Sequence, residues 1–164
     1  MTRVKEMVMK PKLYLETTIV SYLTARPGRD LVRAAHQQVI RDWWDTRSRF
    51  DLFISQFVLD EASEGDPDAA ERRLIALGEA TLLDLTSEAK LIADDILRLG
   101  GMPAKAYVDA IHVGVATAHG LDYLLTWNCA HIAHAAMRGK IEEICRGAGF
   151  EPPIICTPLE FMED

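Results

Sequence analysis

Short apolar runs of strand length alternate along the chain with longer stretches whose apolar positions recur at helical spacing. Residues 12–16 (KLYLE), 51–55 (DLFIS), 81–85 and 122–126 (DYLLT) read as strands, and 153–157 as a short fifth one. Between them the spacing predicts helices over 18–25, 29–47, 56–64, 68–77, 87–99, 103–119 and 130–146. In the long 29–47 segment, Leu31, Ala35, Val39 and Trp43 share one face and the rest is polar. Pro27-Gly28, Gly65-Asp66-Pro67 and Gly100-Gly101 punctuate the pattern. Ser87 is placed to cap one helix, Pro103 to open the next, and Gly120 to close it.

Strands and helices therefore alternate, and no tight two-residue turn joins two strands. This order predicts an α/β domain with a doubly wound, parallel sheet of about five strands and helices on both faces. In such sheets ligands bind beyond the carboxyl ends of the strands, where the connections switch direction. A length of 164 residues fits one domain spanning the chain, with residues 1–10 as a flexible tail.

Composition narrows the class without changing this picture. Apolar residues make up 49% and charged residues 26%, the balance of a globular chain rather than a disordered or fibrous one. No apolar stretch approaches the roughly 20 residues that span a bilayer, and the basic start lacks the apolar run of a secretory signal. The expected location is cytoplasmic, with no membrane association. The net charge is -7, yet residues 1–60 carry ten Lys/Arg against seven Asp/Glu. An acidic total disfavours tight non-specific binding to nucleic acid, but leaves room for a basic face or an acidic pocket that takes a cation. Cys129, Cys145 and Cys156 form no C-x-x-C and are odd in number, so free thiols are expected.

The carboxylates are the informative residues. Glu16 ends the first strand just before Thr17-Thr18, where a helix begins, and a helix dipole would favour an acid there in any case. Glu61 shares a helix face with Phe57 and Val58, whereas Asp60 and Glu64 lie on a solvated face. An acid on an apolar stripe needs a partner, a proton or a metal. Asp109 and His112, three apart, are the only strongly polar residues beyond Lys105 in a stretch apolar nearly all round, the mark of a buried helix. A buried carboxylate is costly unless something offsets it, which favours a functional role for Asp109. Asn128 follows the fourth strand, where capping of the next helix would also account for it.

The histidines and cysteines supply no convincing zinc site, and no Ser-His-Asp signature, P-loop or G-x-G-x-x-G occurs. A phosphoacceptor receiver domain is disfavoured because its paired acids and late lysine are missing. Trp43-Trp44 most simply means packing, with one ring inward and one partly exposed.

Three segments resemble a known pattern. LYLETTIVSYL is similar to the opening motif of PIN domains, with Glu16 where that motif usually has Asp. FISQFVLDEASEG resembles their second motif, with Glu61 as its acid, and YVDAIHVGVATAHGLDYLLTWN resembles the third and fourth, with Asp109 as the third acid. The set matches in order over nearly the whole chain, and the size resembles VapC-like toxins of bacterial type II toxin–antitoxin pairs.

The resemblance implies an endoribonuclease that uses Mg²⁺ or Mn²⁺ and leaves a 5′-phosphate and a 3′-hydroxyl. It implies Glu16, Glu61 and Asp109 as catalytic metal ligands with Asn128 beside them, and Thr17, Ser55, Thr126, His112 and His131 in support. It further implies an RNA substrate, a cognate antitoxin protein and a homodimer, to which the 29–47 helix and its tryptophans would contribute. Arg26, Arg29, Arg33 and Arg41 could hold phosphates, or simply form a solvated face. Asn128 and His131 stand where many members have Asp, and Trp127 where Arg is common. These departures leave an alternative, a PIN-fold RNA-binding or protein-interaction module with weak or no catalysis.

Overall fold

The computed structural model describes residues 9–162. The expected tail at 1–10 thus lies mostly outside the described residues; Met9 and Lys10 are exposed and irregular. Among the described residues, five parallel strands form one sheet: β1 (Lys12–Leu15), β2 (Asp51–Ser55), β3 (Thr81–Leu83), β4 (Tyr123–Leu125) and β5 (Ile154–Cys156). Their spatial order is β3-β2-β1-β4-β5. The chain thus builds outward from β1 in one direction, then crosses back to β4 and builds the other way. The reversal puts the topological switch between β1 and β4, paired in register from Leu13↔Tyr123 to Leu15↔Leu125.

Among the described residues, seven α-helices connect the strands: α1 (Thr17–Thr24), α2 (Leu31–Trp44), α3 (Gln56–Ala62), α4 (Pro67–Ala76), α5 (Ser87–Arg98), α6 (Tyr107–Ala118) and α7 (Ala135–Gly147). Helix α1 packs on α2, α3 and α4, while α5 packs on α6 and α7. Right-handed crossovers in a sheet of this order place those two groups on opposite faces. Leu13, Tyr14 and Leu15 of the central strand are all fully buried, as a strand covered on both sides must be. Helix α6 is buried from Ala110 through Thr117, in agreement with its continuous apolar sequence. It lies so close to α5 that a Cβ on Gly114 would stand 2.3 Å from the Ala89 carbonyl oxygen.

Several boundaries differ from expectation for local reasons. The cap of α5 is Thr86, not Ser87, and its side chain accepts from Ala89 N. Helix α6 begins at Tyr107, not Pro103, because a separate turn closes from the Pro103 carbonyl to Ala106 N. Helix α7 begins at Ala135, capped by His134. The residues before it fold on Asn128 instead: its side-chain oxygen accepts from His131 N and its carbonyl from Ile132 and Ala133 N. Asn128 therefore caps a turn, not α7. The three cysteines are free, with Cys145 and Cys156 buried. Trp43 is buried against Phe50, while Trp44 is half-buried with the Arg47 guanidinium 4.6 Å from its ring centre.

Candidate functional site

Glu16 follows directly on β1, and Thr126 follows directly on β4, so the two flank the switch point at the carboxyl edge. Glu16 is the N-cap of α1: its Oε2 accepts from Thr18 N. The Thr18 hydroxyl donates to the same oxygen, and Thr126 Oγ1 donates to it at 2.7 Å. Thr18 Oγ1 in turn accepts from Trp127 N, and Thr126 Oγ1 from Asn128 N, so the loop after β4 is tied to the acid at the end of β1.

Glu61 reaches the same point from α3. Its Oε1 accepts from Thr17 Oγ1 at 2.8 Å and lies 2.6 Å from His112 Nε2. His112, fully buried on α6, places Nδ1 2.6 Å from the Tyr14 hydroxyl, which lies 2.7 Å from Ser55 Oγ. A continuous polar chain thus runs Ser55–Tyr14–His112–Glu61–Thr17 through the interior. One ligand atom from each of Glu16, Glu61 and His112 lies within 4.8 Å of the others.

Asp109 lies outside that group of three. Its Oδ2 is 2.7 Å from His131 Nδ1. Since His131 N also bonds Asn128, which bonds Thr126, which bonds Glu16, a second chain of contacts links Asp109 to the first acid.

Three solved structures share this architecture. VapBC2 from Rickettsia felis, solved with a DNA fragment from its promoter, superposes with a TM-score of 0.58 at 15% identity, over 88% of this chain and 97% of that one. FitAcB from Neisseria gonorrhoeae gives 0.52 at 15% identity, over 90% and 98%. FitAB bound to an IR36 DNA fragment gives 0.53 at 15% identity, over 93% and 98%. The chain has a VapC-like PIN fold. No family model and no curated protein matches its sequence.

Within this PIN-like fold the two central acids have opposite electrostatics. Burial pushes the Glu16 carboxyl above its ordinary range, although His112, Thr18 and Thr126 pull the other way. Burial also opposes ionisation of Glu61, but the hydrogen bonds from His112 and Thr17 outweigh it and hold that carboxyl below the usual range. Burial raises the Tyr14 phenol far above its ordinary value, so it keeps its proton.

The donor set suits a cation. Among the described residues, every hydrogen bond that Glu16 accepts falls on Oε2, and every one that Glu61 accepts falls on Oε1. Each carboxylate thus keeps an oxygen for a further ligand, and a divalent ion would neutralise the buried charge.

The hydroxyls expected from the sequence, Thr17, Ser55 and Thr126, all bond into these chains. Tyr14 and Thr18 were not foreseen. Both lie two residues from Glu16, one along a strand where alternate side chains share a face, the other at the second position of a helix that Glu16 caps. Those two periodicities were the available signal. The pairing of Asp109 with His131 had none, because it depends on how the loop after β4 folds back.

Proposed function

We propose that this protein is a divalent-metal-dependent endoribonuclease and the toxin component of a toxin–antitoxin pair. The observation that carries the reading is the convergence of Glu16 and Glu61 at the switch point of a VapC-like PIN fold, each with a carboxylate oxygen in reserve. The metal would be held by these two acids, with Asp109 and Asn128 at the adjoining edge. When bound, the ion lowers the pKa of a water and stabilises charge on the phosphoryl oxygens.

The remaining work belongs to the chain itself. Thr18 and Thr126 fix the Glu16 rotamer, and Thr17 and His112 fix that of Glu61. Preset ligands need no reorganisation when charge develops. Hydrolysis adds water to phosphorus and releases the 3′-oxygen, leaving a 5′-phosphate and a 3′-hydroxyl. The substrate is RNA, and Arg26, Arg29, Arg33 and Arg41 near and along α2 supply cations for its phosphates.

An antitoxin partner is supported by the VapBC2, FitAcB and FitAB structures, which are toxin–antitoxin complexes. A homodimer and a cytoplasmic location complete the reading; among the described residues no helix is long and apolar enough to cross a membrane.

A second reading, an RNA-binding or protein-interaction module without catalysis, is favoured by one observation: Asp109 is engaged by His131, and Asn128 adds no charge. Incubation of purified protein with labelled RNA, with and without Mg²⁺ or Mn²⁺, separates the two. Divalent-dependent cleavage that disappears in Glu16→Gln supports the nuclease. Retained RNA binding without cleavage under either ion supports the module.

A further inference from the structure

We propose that His112 is a nitrogen ligand to the divalent ion, and that the site for this reason prefers a transition-metal dication such as Mn²⁺ over Mg²⁺. This rests on the metal-dependent reading above and adds to it one ligand and the class of ion.

His112 Nε2 already stands in the group of ligand atoms gathered within 4.8 Å, whereas Asp109, the acid that an all-carboxylate centre would require, is turned to His131. The donor set gathered here is therefore two carboxylates and one imidazole. Mg²⁺ is small and hard, and it is held through carboxylates and water. Imidazole suits first-row transition ions such as Fe²⁺, Ni²⁺ and Zn²⁺, and Mn²⁺, the least avid of that series, accepts carboxylates and water as Mg²⁺ does while being softer towards nitrogen.

The far side of the His112 ring is also arranged for a metal ligand. A metal-bound histidine coordinates through one nitrogen and donates the N–H of the other to an oxygen, which fixes its tautomer and orientation. Tyr14 Oη, 2.6 Å from Nδ1, is such an oxygen. Tyr14 also serves the alternative tautomer. With no ion, Nε2–H donates to Glu61 Oε1, and Tyr14 donates its own proton to Nδ1. With an ion on Nε2, the proton sits on Nδ1, Tyr14 accepts it, and the phenol proton turns to Ser55 Oγ, 2.7 Å away. Neither state leaves a buried ring nitrogen of His112 without a partner. The competing role, in which His112 only orients Glu61 by donating from Nε2, makes no use of this two-way arrangement.

The test uses the full chain stripped of metal with a chelator. Calorimetric titration with Mn²⁺ and Mg²⁺ is expected to give at least about tenfold tighter Mn²⁺ binding. Pulsed electron paramagnetic resonance of the Mn²⁺ form is expected to show the ¹⁴N coupling of a directly bonded imidazole. In His112→Gln the coupling should vanish and Mn²⁺ affinity fall by about tenfold or more, with Mg²⁺ affinity little changed. Tyr14→Phe should keep the coupling and weaken Mn²⁺ by roughly tenfold, the usual effect of losing an outer-sphere partner.

Bound Mn²⁺ without ¹⁴N coupling overturns His112 as a ligand and leaves the metal-dependent nuclease standing. Coupling that persists in His112→Gln overturns it too, by pointing to His131. Failure of both ions to bind removes the metal reading and this proposal with it. Should His112→Gln not fold, the wild-type spectrum and Tyr14→Phe decide.

Discussion

Asp109 Oδ2 lies 2.7 Å from His131 Nδ1, while one turn along the same helix His112 pairs with Glu61 beside Glu16. Helix α6 thus carries two engaged polar side chains, Asp109 held by the loop after β4 and His112 by Glu61 and Tyr14. Both side chains of the Asp109–His131 pair are only partly buried, so substrate or ion can reach them.

The first prediction concerns that pair. Asp109→Asn removes the charge and keeps the size, so divalent-dependent cleavage of RNA should be abolished while the melting temperature stays close to wild type. His131→Ala frees Asp109 without removing it and should lower cleavage only about tenfold, as for loss of an orienting partner. Initial-rate assays on both variants check this. An Asp109→Asn protein that cleaves as fast as wild type would exclude Asp109 from the reaction.

Glu16 gives a prediction in pH. Its folded-state pKa is raised above the ordinary 4.5, chiefly by burial. Such a group favours the fold while protonated, below its unfolded value, and that contribution is lost as pH rises through the folded-state value. At neutral pH and without metal, burial of the Glu16 carboxyl thus weakens the fold. Glu16→Gln should melt higher than wild type there, the gap closing as pH falls through the folded-state value towards 4.5. Glu61 has the opposite sign: its lowered pKa gives stability that is present above 4.5 and lost as pH falls through the folded-state value. Glu61→Gln should therefore melt lower at neutral pH. Calorimetric scans of the three proteins across about pH 4–8 in chelator test both directions.

The structure also explains which parts were legible in the sequence. The apolar run of β1, the buried α6 and the strand-end position of Glu16 each follow from local pattern, and so did the parallel order. The beginnings of α6 and α7 did not. Pro103 is a sound first-turn residue, yet its carbonyl closes a turn with Ala106 before the helix starts. Asn128 is a sound cap, yet its side chain and carbonyl are both used within the next five residues, so α7 waits for His134. Local signals of equal strength competed, and tertiary contacts chose between them. At the site, sequence marked Glu16, Glu61, Asp109 and His112, but which of the last two stands with the glutamates is set by the packing of α6 against β1 and the 126–134 loop.

Gly114 offers a prediction about the scaffold that holds His112. A Cβ there would meet backbone of α5, at 2.3 Å from Ala89 O, and backbone cannot move aside as a side-chain tip can. Gly114→Ala should destabilise by about 1–3 kcal/mol despite alanine's better helix propensity. Urea unfolding measures it. A variant as stable as wild type would mean that α5 and α6 can separate without cost.

Asn128 tests whether the site lacks charge. Its side-chain oxygen accepts from His131 N and so holds the turn that carries His131 to Asp109. A carboxylate can accept the same bond, so Asn128→Asp should keep the turn. An amide oxygen can coordinate a hard cation, but without formal charge. If Asn128 borders the ion, the added charge should tighten Mn²⁺ or Mg²⁺ binding by about 1–3 kcal/mol, from Coulomb's law at an effective dielectric near 20 less desolvation. Without metal the variant should be no more stable than wild type, since a further acid joins a region that already holds Glu16 and Asp109. If Asn128 serves only the turn, metal affinity should not change. Calorimetric titration of both proteins with Mn²⁺ distinguishes these outcomes, and equal affinities would confine Asn128 to positioning His131.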